Sequence, residues 1–229
     1  MGARKADTAL NWTDDPAAAE LLVRDPMALM IGFLLDQQVA MEVAFGAPEK
    51  LRQRLGGTLE ARKIAAMDEA ELVEAFLARP PLHRYPASMA RRTRALARQI
   101  VDDYGGDPAR IWSTAADAAE VSKRIARLPG FSANKARVII GTLAKRLATP
   151  IPGWEEYAPD WFSLVDVDSK TALLQYRDIK RAAKAAGNWP PGKDSERKPR
   201  KKKPAASKPT AKKPAARKPS TRRPAARKR

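Results

Sequence analysis

The sequence predicts an all-α fold, one domain of short helices, followed by a basic tail that has no core of its own. Three observations predict it. Helix starts recur as Asp-Pro, Asp or Ser signals ahead of apolar runs. Gly-Gly and Pro-Gly pairs close those runs. No stretch shows the strict alternation of a half-buried strand. With 229 residues, the chain has room for one ordinary domain and an extension.

The elements follow in order. Asp15-Pro16 opens a helix over Ala17 to Val23, and Asp25-Pro26 repeats the device, proline costing nothing at a position whose N–H has no helical partner. The second helix runs through Gln38 and carries Met27, Leu29, Met30, Phe33 and Leu34, apolar bulk enough for a buried central helix. A third spans Met41 to Leu55 and stops at Gly56-Gly57. Asp68 and Glu71 form a capping-box-like start for a helix to Leu77. After the Pro80-Pro81 break, Ser88 opens a long amphipathic helix to about Tyr104, closed by Gly105-Gly106. Short helices over Pro108–Trp112 and Asp117–Leu128 lead to Pro129-Gly130, and Ser132 caps a helix over Ala133–Leu147. A Pro, Gly and Trp-rich loop from Thr149 to Trp161 precedes a last helix, Ser169 to Ala186. The expected organisation is a disordered N-terminus over 1–12, the helical domain over 13–187 and a disordered tail over 188–229.

Charge separates body from tail. The chain has 44 Lys and Arg against 26 Asp and Glu, a net charge of +18. From Lys193 onward there are 17 basic and 2 acidic residues, which leaves 27 basic and 24 acidic in the body. Pro199, Pro204, Pro209, Pro214, Pro219 and Pro224 fall every five residues, each directly after a basic residue. Proline at that density blocks helix formation, and Lys and Ala supply no core. The segment is therefore expected to be an extended polycation, resembling the Lys/Pro/Ala tails of linker histones and some bacterial nucleoid proteins. A polyphosphate backbone is the expected partner, through counterion release. RNA, acidic proteins or a plain solubilising role fit the same charge.

Composition also excludes chemistry. There are no cysteines and one histidine, His83. Thiolate zinc sites, cysteine-ligated iron–sulfur clusters and cysteine nucleophiles are ruled out, and a Ser-His-Asp triad has little scope. The expectation is no metal, no cofactor and no iron–sulfur cluster. The polar stretch Met1–Asp14 lacks a signal core, and Met27–Leu35 is too short to span a bilayer. A soluble, monomeric, cytoplasmic protein associated with the nucleoid, without membrane contact, is expected.

One segment carries a physical use. Leu128-Pro129-Gly130-Phe131-Ser132-Ala133-Asn134-Lys135-Ala136 joins two helices by a tight turn. Backbone N–H groups of such a turn and of the next helical turn point outward, the helix dipole favours an anion there, and Gly130 lets a phosphate approach closely. An ordinary αα-hairpin linker has the same pattern.

This segment resembles the hairpin of the helix-hairpin-helix DNA glycosylase superfamily, Leu-Pro-Gly-hydrophobic-Gly with Ala four positions further. Four features agree in order: Gln37-Gln38 after an apolar helix, Tyr85 through Ser88, Met89 and Ala90 into a basic helix, a Gly/Pro-rich loop with Pro150, Pro152, Gly153 and Pro159, then Val165-Asp166-Val167-Asp168. Gln37-Gln38 is similar to the paired glutamines of the alkylbase glycosylases. More narrowly, the chain resembles the cluster-free base-excision repair proteins of actinobacteria. The resemblance implies double-stranded DNA as partner and base excision as activity. It implies Gln37, Gln38, Leu128, Gly130, Ser132, Asn134, Lys135 and Arg137 as DNA-binding residues, and Asp166, with Asp168 second, as the catalytic carboxylate.

Departures shape that expectation. Ser132 replaces the second hairpin glycine, where serine can cap the helix. Bifunctional members hold a lysine where this chain has Asn134, and Lys135, one step later, is turned by about 100° on a helix. The expected reaction is therefore hydrolytic and monofunctional, on a damaged and by preference alkylated base. Gly130 to Asp166 is 36 residues, about a dozen more than is usual for the superfamily, so the stretch from Trp154 to Trp161 must loop out or cover a pocket. Either aspartate could instead cap the helix near Ser169, and a non-catalytic DNA-binding protein would keep the same fold.

Overall fold

The computed structural model describes residues 5–188. The tail predicted over 188–229 lies outside the described residues from 189 on. The described residues are all-helical, with α1 Pro16–Arg24, α2 Pro26–Leu35, α3 Met41–Arg54, α4 Ala61–Ala66, α5 Glu69–Leu77, α6 Pro86–Tyr104, α7 Arg110–Ser113, α8 Ala118–Ala126, α9 Ala133–Gly141, α10 Trp154–Tyr157 and α11 Lys170–Ala185.

The helix starts are local chemistry. Asp15 accepts from the backbone N–H groups of Ala17 and Ala18, and Asp25 from those of Met27 and Ala28, each satisfying donors that no helical carbonyl can reach. Asp68 and Asp117 cap α5 and α8 in the same way. From Met27 to Leu35, α2 is buried on every side. It packs against α1, α3 and α6. A Cβ on Gly32 would stand 2.7 Å from the Phe45 ring, so glycine is what allows α2 and α3 to approach. Phe33, Phe45 and Trp12 meet edge to face at centroid separations of 4.7–5.6 Å. α6 lies across α4 and α5, and α8 packs on α9.

Several boundaries differ from the sequence reading. α2 ends at Leu35 rather than Gln38, because Asp36 (φ −70°, ψ 66°) and Gln38 (φ +59°) leave helical space. α6 begins at Pro86, with proline taking the first helical position instead of Ser88 serving as a cap. α4 was not expected: its N-cap Glu60 makes no capping bond with its side chain. α9 passes into a π-helical turn, Thr142–Arg146, and the loop after it contains α10. The domain also starts before residue 13. Leu10 and Trp12 are fully buried, and the Trp12 indole donates to the Leu164 carbonyl at 3.1 Å; a large aromatic with a satisfied N–H is a core residue wherever it stands in the chain.

Candidate functional site

The hairpin joins α8 to α9. Leu128 is buried beneath it, the Phe131 N–H donates to the Leu128 carbonyl at 3.1 Å, and Gly130 sits exposed at φ +83°. Glycine is required here twice over. The φ is left-handed, and a Cβ would stand 2.6 Å from Leu34 Cδ1 and 3.6 Å from Gln37 Nε2. The turn is thus pressed onto the end of α2. Ser132, at φ −134° and ψ 166°, occupies ordinary extended space and accepts from the Lys135 N–H. A second glycine is not needed at that position, and serine caps α9 instead.

The Asp36–Val39 turn is held by a network centred on Gln37. Its side-chain amide donates to the Leu34 carbonyl at 2.6 Å, and its Oε1 accepts from Arg92 at 3.0 Å. Its own carbonyl lies 2.8 Å from His83 Nε2, while His83 Nδ1 accepts from the Tyr85 N–H at 3.0 Å. Those two bonds fix the imidazole with its proton on Nε2. Gln37 is therefore committed to the scaffold, and Gln38, exposed in left-handed backbone, is the glutamine that projects.

Beside the hairpin lies a cleft of about 510 Å3. Its wall is aromatic and aliphatic, with Phe33, Val39, Trp161 and Tyr176, and its polar groups include Gln38, Ser132, Asn134 and Lys135. Helix α11 contributes Tyr176, Lys180 and Lys184, so the last helix closes a site begun by the second. Lys135 Nζ donates to the Phe33 carbonyl and stands 5.6 Å from the Phe131 ring centroid. Burial pushes this amine down to about 8, against the opposing pull of the Asp36 charge. Burial and the Asp36 charge both push the Tyr176 phenol up.

Arg137, expected at phosphate, is used inside the protein. It donates to the Ala158 carbonyl at 2.8 Å, reaches Asp160 at 3.2 Å and lies 4.6 Å over the Trp161 ring. It thereby pins Trp161 as a wall of the cleft. Asp166 closes the 3₁₀ turn Leu164–Asp166. Its Oδ2 accepts from the Ser163 N–H at 3.0 Å, and its Oδ1 pairs with Lys145 at 2.8 Å. It borders a separate depression of about 260 Å3, with Lys145, Trp154 and Pro159. Asp168 is exposed, its carbonyl accepting from Asn11, and Ser169 is the residue that caps α11.

The structure thus brings Gln38, Ser132, Asn134 and Lys135 to one cleft, with Ser132 two residues beyond Gly130 on the hairpin side, and places Asp166 outside it. One residue of the cleft, Asp36, escaped the sequence reading, and its adjacency to Gln37-Gln38 was the one available signal. His83, the lone histidine, has a structural role, holding the Gln37 turn. Among the described residues no helix is long and apolar enough to cross a membrane.

No curated protein matches the chain. Solved structures that resemble it include a non-covalent endonuclease III–DNA complex (19% identity, TM-score 0.40, covering 56% of this chain and 50% of that one). A thermostable thymine-DNA glycosylase is similar at 17% identity and TM-score 0.40, covering 55% of this chain and 49% of its own. A trapped endonuclease III–DNA covalent intermediate gives 19% and 0.37, covering 66% of each chain. This chain spans about half the length of the first two. Residues 31–188, from within α2 to the end of the described fold, match the profile of HhH-GPD superfamily base excision DNA repair proteins, and the chain belongs to that superfamily.

Proposed function

We propose that this protein is a DNA glycosylase that breaks the N-glycosidic bond of a damaged base drawn out of duplex DNA into the cleft beside Gly130. The observation that carries this reading is the shared cleft. Ser132 at the cap of α9, Asn134 and Lys135 in its first turn, and the projecting Gln38 all line one aromatic-walled cleft. A backbone phosphate bound at the turn would set a nucleotide over that cleft, with the helix dipole favouring its charge. Gln38 stands where it can fill the space that the base leaves, and Trp161 and Tyr176 supply faces for stacking. Extrusion costs a few kcal/mol, least for a damaged or mispaired base, so the duplex itself contributes selectivity.

Hydrolysis without a covalent enzyme intermediate belongs to the same reading, because Asn134 stands where bifunctional members of the superfamily hold lysine. Gln37-Gln38 makes alkylated purines the first lesions to test, and the lysines of the cleft add neutral, carbonyl-bearing bases to the panel. Asp166 and Asp168 are the carboxylates that the sequence proposes, and their Asn variants belong in the same assay. The test is release of free base from duplexes that each carry one lesion. Abasic product from at least one lesion is expected. Binding to duplexes irrespective of lesion, with no abasic product from any, would overturn the enzyme reading in favour of an architectural DNA-binding protein.

A further inference from the structure

We propose that Asp36 supplies the carboxylate for base release in this chain, because among the described residues it is the acidic side chain that lines the cleft beside the hairpin. The inference rests on the glycosylase reading and assigns its central group to a different segment from the one the sequence proposes. Asp36 is the residue at which α2 stops. Its N–H still donates to the Gly32 carbonyl, while its ψ of 66° turns the chain toward Gln38. The side chain is 17% exposed and its Oδ1 lies 3.5 Å from Lys180 Nζ. Its charge acts on both Lys135 and Tyr176, which line the same cleft, one from α9 and one from α11. The carboxylate thus shares one cleft with residues of the hairpin's second helix and the last helix, two residues before Gln38, the glutamine that lines the same space.

Asp166 has different surroundings. Both of its oxygens are engaged, one by Lys145 and one by Ser163, and it opens onto another depression. Asp168 lines neither.

The chemistry needs one carboxylate near the sugar. As the C1′–N bond breaks, its electron pair leaves with the base and C1′ gains cationic character. A negative charge held in a site of low polarity stabilises that cation far more than it would in water. A water oxygen then bonds to C1′. The proton it sheds passes through the carboxylate or solvent to the departing base nitrogen, so one water is consumed and the products are an abasic sugar and a free base.

The experiment measures single-turnover base release by the full chain from a lesion-bearing duplex that the wild type processes. Affinity for a duplex with an abasic-site analogue and the melting temperature are measured in parallel. Asp36→Asn is expected to lower the rate on the order of 100-fold, with duplex affinity and melting temperature near wild type. A rate within threefold of wild type would overturn the proposal, as would a loss confined to Asp166→Asn. If Asp36→Asn does not fold, Asp36→Glu carries the test. It keeps the charge and moves it by one methylene, so a reduced rate supports the role and an unchanged rate overturns it. An inactive wild type defeats the glycosylase reading itself, whereas an active wild type with an unaffected Asp36→Asn defeats only the assignment to Asp36.

Discussion

Lys135 sets the limit of a purely local argument. Rotation by one residue along α9 separates it from Asn134, yet its long side chain still carries the amine to the Phe33 carbonyl at the cleft. Burial lowers its pKa from 10.5 to about 8. Between those values the unfolded chain holds more protons on this group than the folded one, so its contribution makes stability rise with pH across that window. The size is about 3 kcal/mol by the usual conversion. Denaturant unfolding at pH 7.5, 9 and 10.5 should show a rise in the wild type that is absent in Lys135→Met, and parallel pH profiles for the two would refute it. Gly130 answers to geometry instead. Gly130→Ala places a Cβ in left-handed backbone against Leu34, with an expected loss of roughly 1–3 kcal/mol. Duplex affinity should fall with it, because the displaced turn is also the proposed phosphate contact; a melt and a binding titration read the two effects separately.

At the scale of elements, the starts were easier to read than the ends. Asp15, Asp25, Asp68, Asp117 and Ser132 cap the helices that they were expected to open, because a cap involves only neighbours in sequence. Ser132→Ala should cost about 1 kcal/mol, seen as a lower melting temperature, and an unchanged melt would count against the cap. The end of α2 is a different matter. Its termination at Leu35 depends on Gln37 bonding to Arg92 and His83, which are 55 and 46 residues away. α4 lacked any side-chain cap to betray it and is held by packing on α6. Arg137 and Trp161 form a comparable long-range device. Arg137→Ala should free the Trp161 wall and slow base release by weakening the cleft, leaving the salt dependence of duplex binding unchanged; a reduced salt slope would instead return Arg137 to the phosphate contacts.

For the whole molecule, charge and geometry are divided between segments. The 17 basic residues from Lys193 onward belong to a stretch whose composition favours long-range, sequence-independent attraction, while the nearly balanced body holds the cleft. Each phosphate neutralised adds about 0.9 to the slope of log affinity against log salt. Removing residues 189–229 should therefore flatten that slope by several units and weaken binding to all duplexes alike, with single-turnover base release at saturating protein unchanged. An unaltered slope would refute the tethering role.

The sequence by itself determined the helical class, the capped starts, the Pro-Gly hairpin and the separation of a basic tail from a balanced body, since each depends on residues close together in the chain or on composition. Only the tertiary structure decided which side chains share the cleft. Asp36 and Lys135 are 99 residues apart and Tyr176 lies 41 further on; they meet because α2, α9 and α11 pack around one space. Asp166 is drawn away because a capping box and Lys145 satisfy its oxygens locally. A motif records the order of residues, whereas a site depends on distances between elements, and those distances are set by the packing of a core that begins at Leu10 and Trp12.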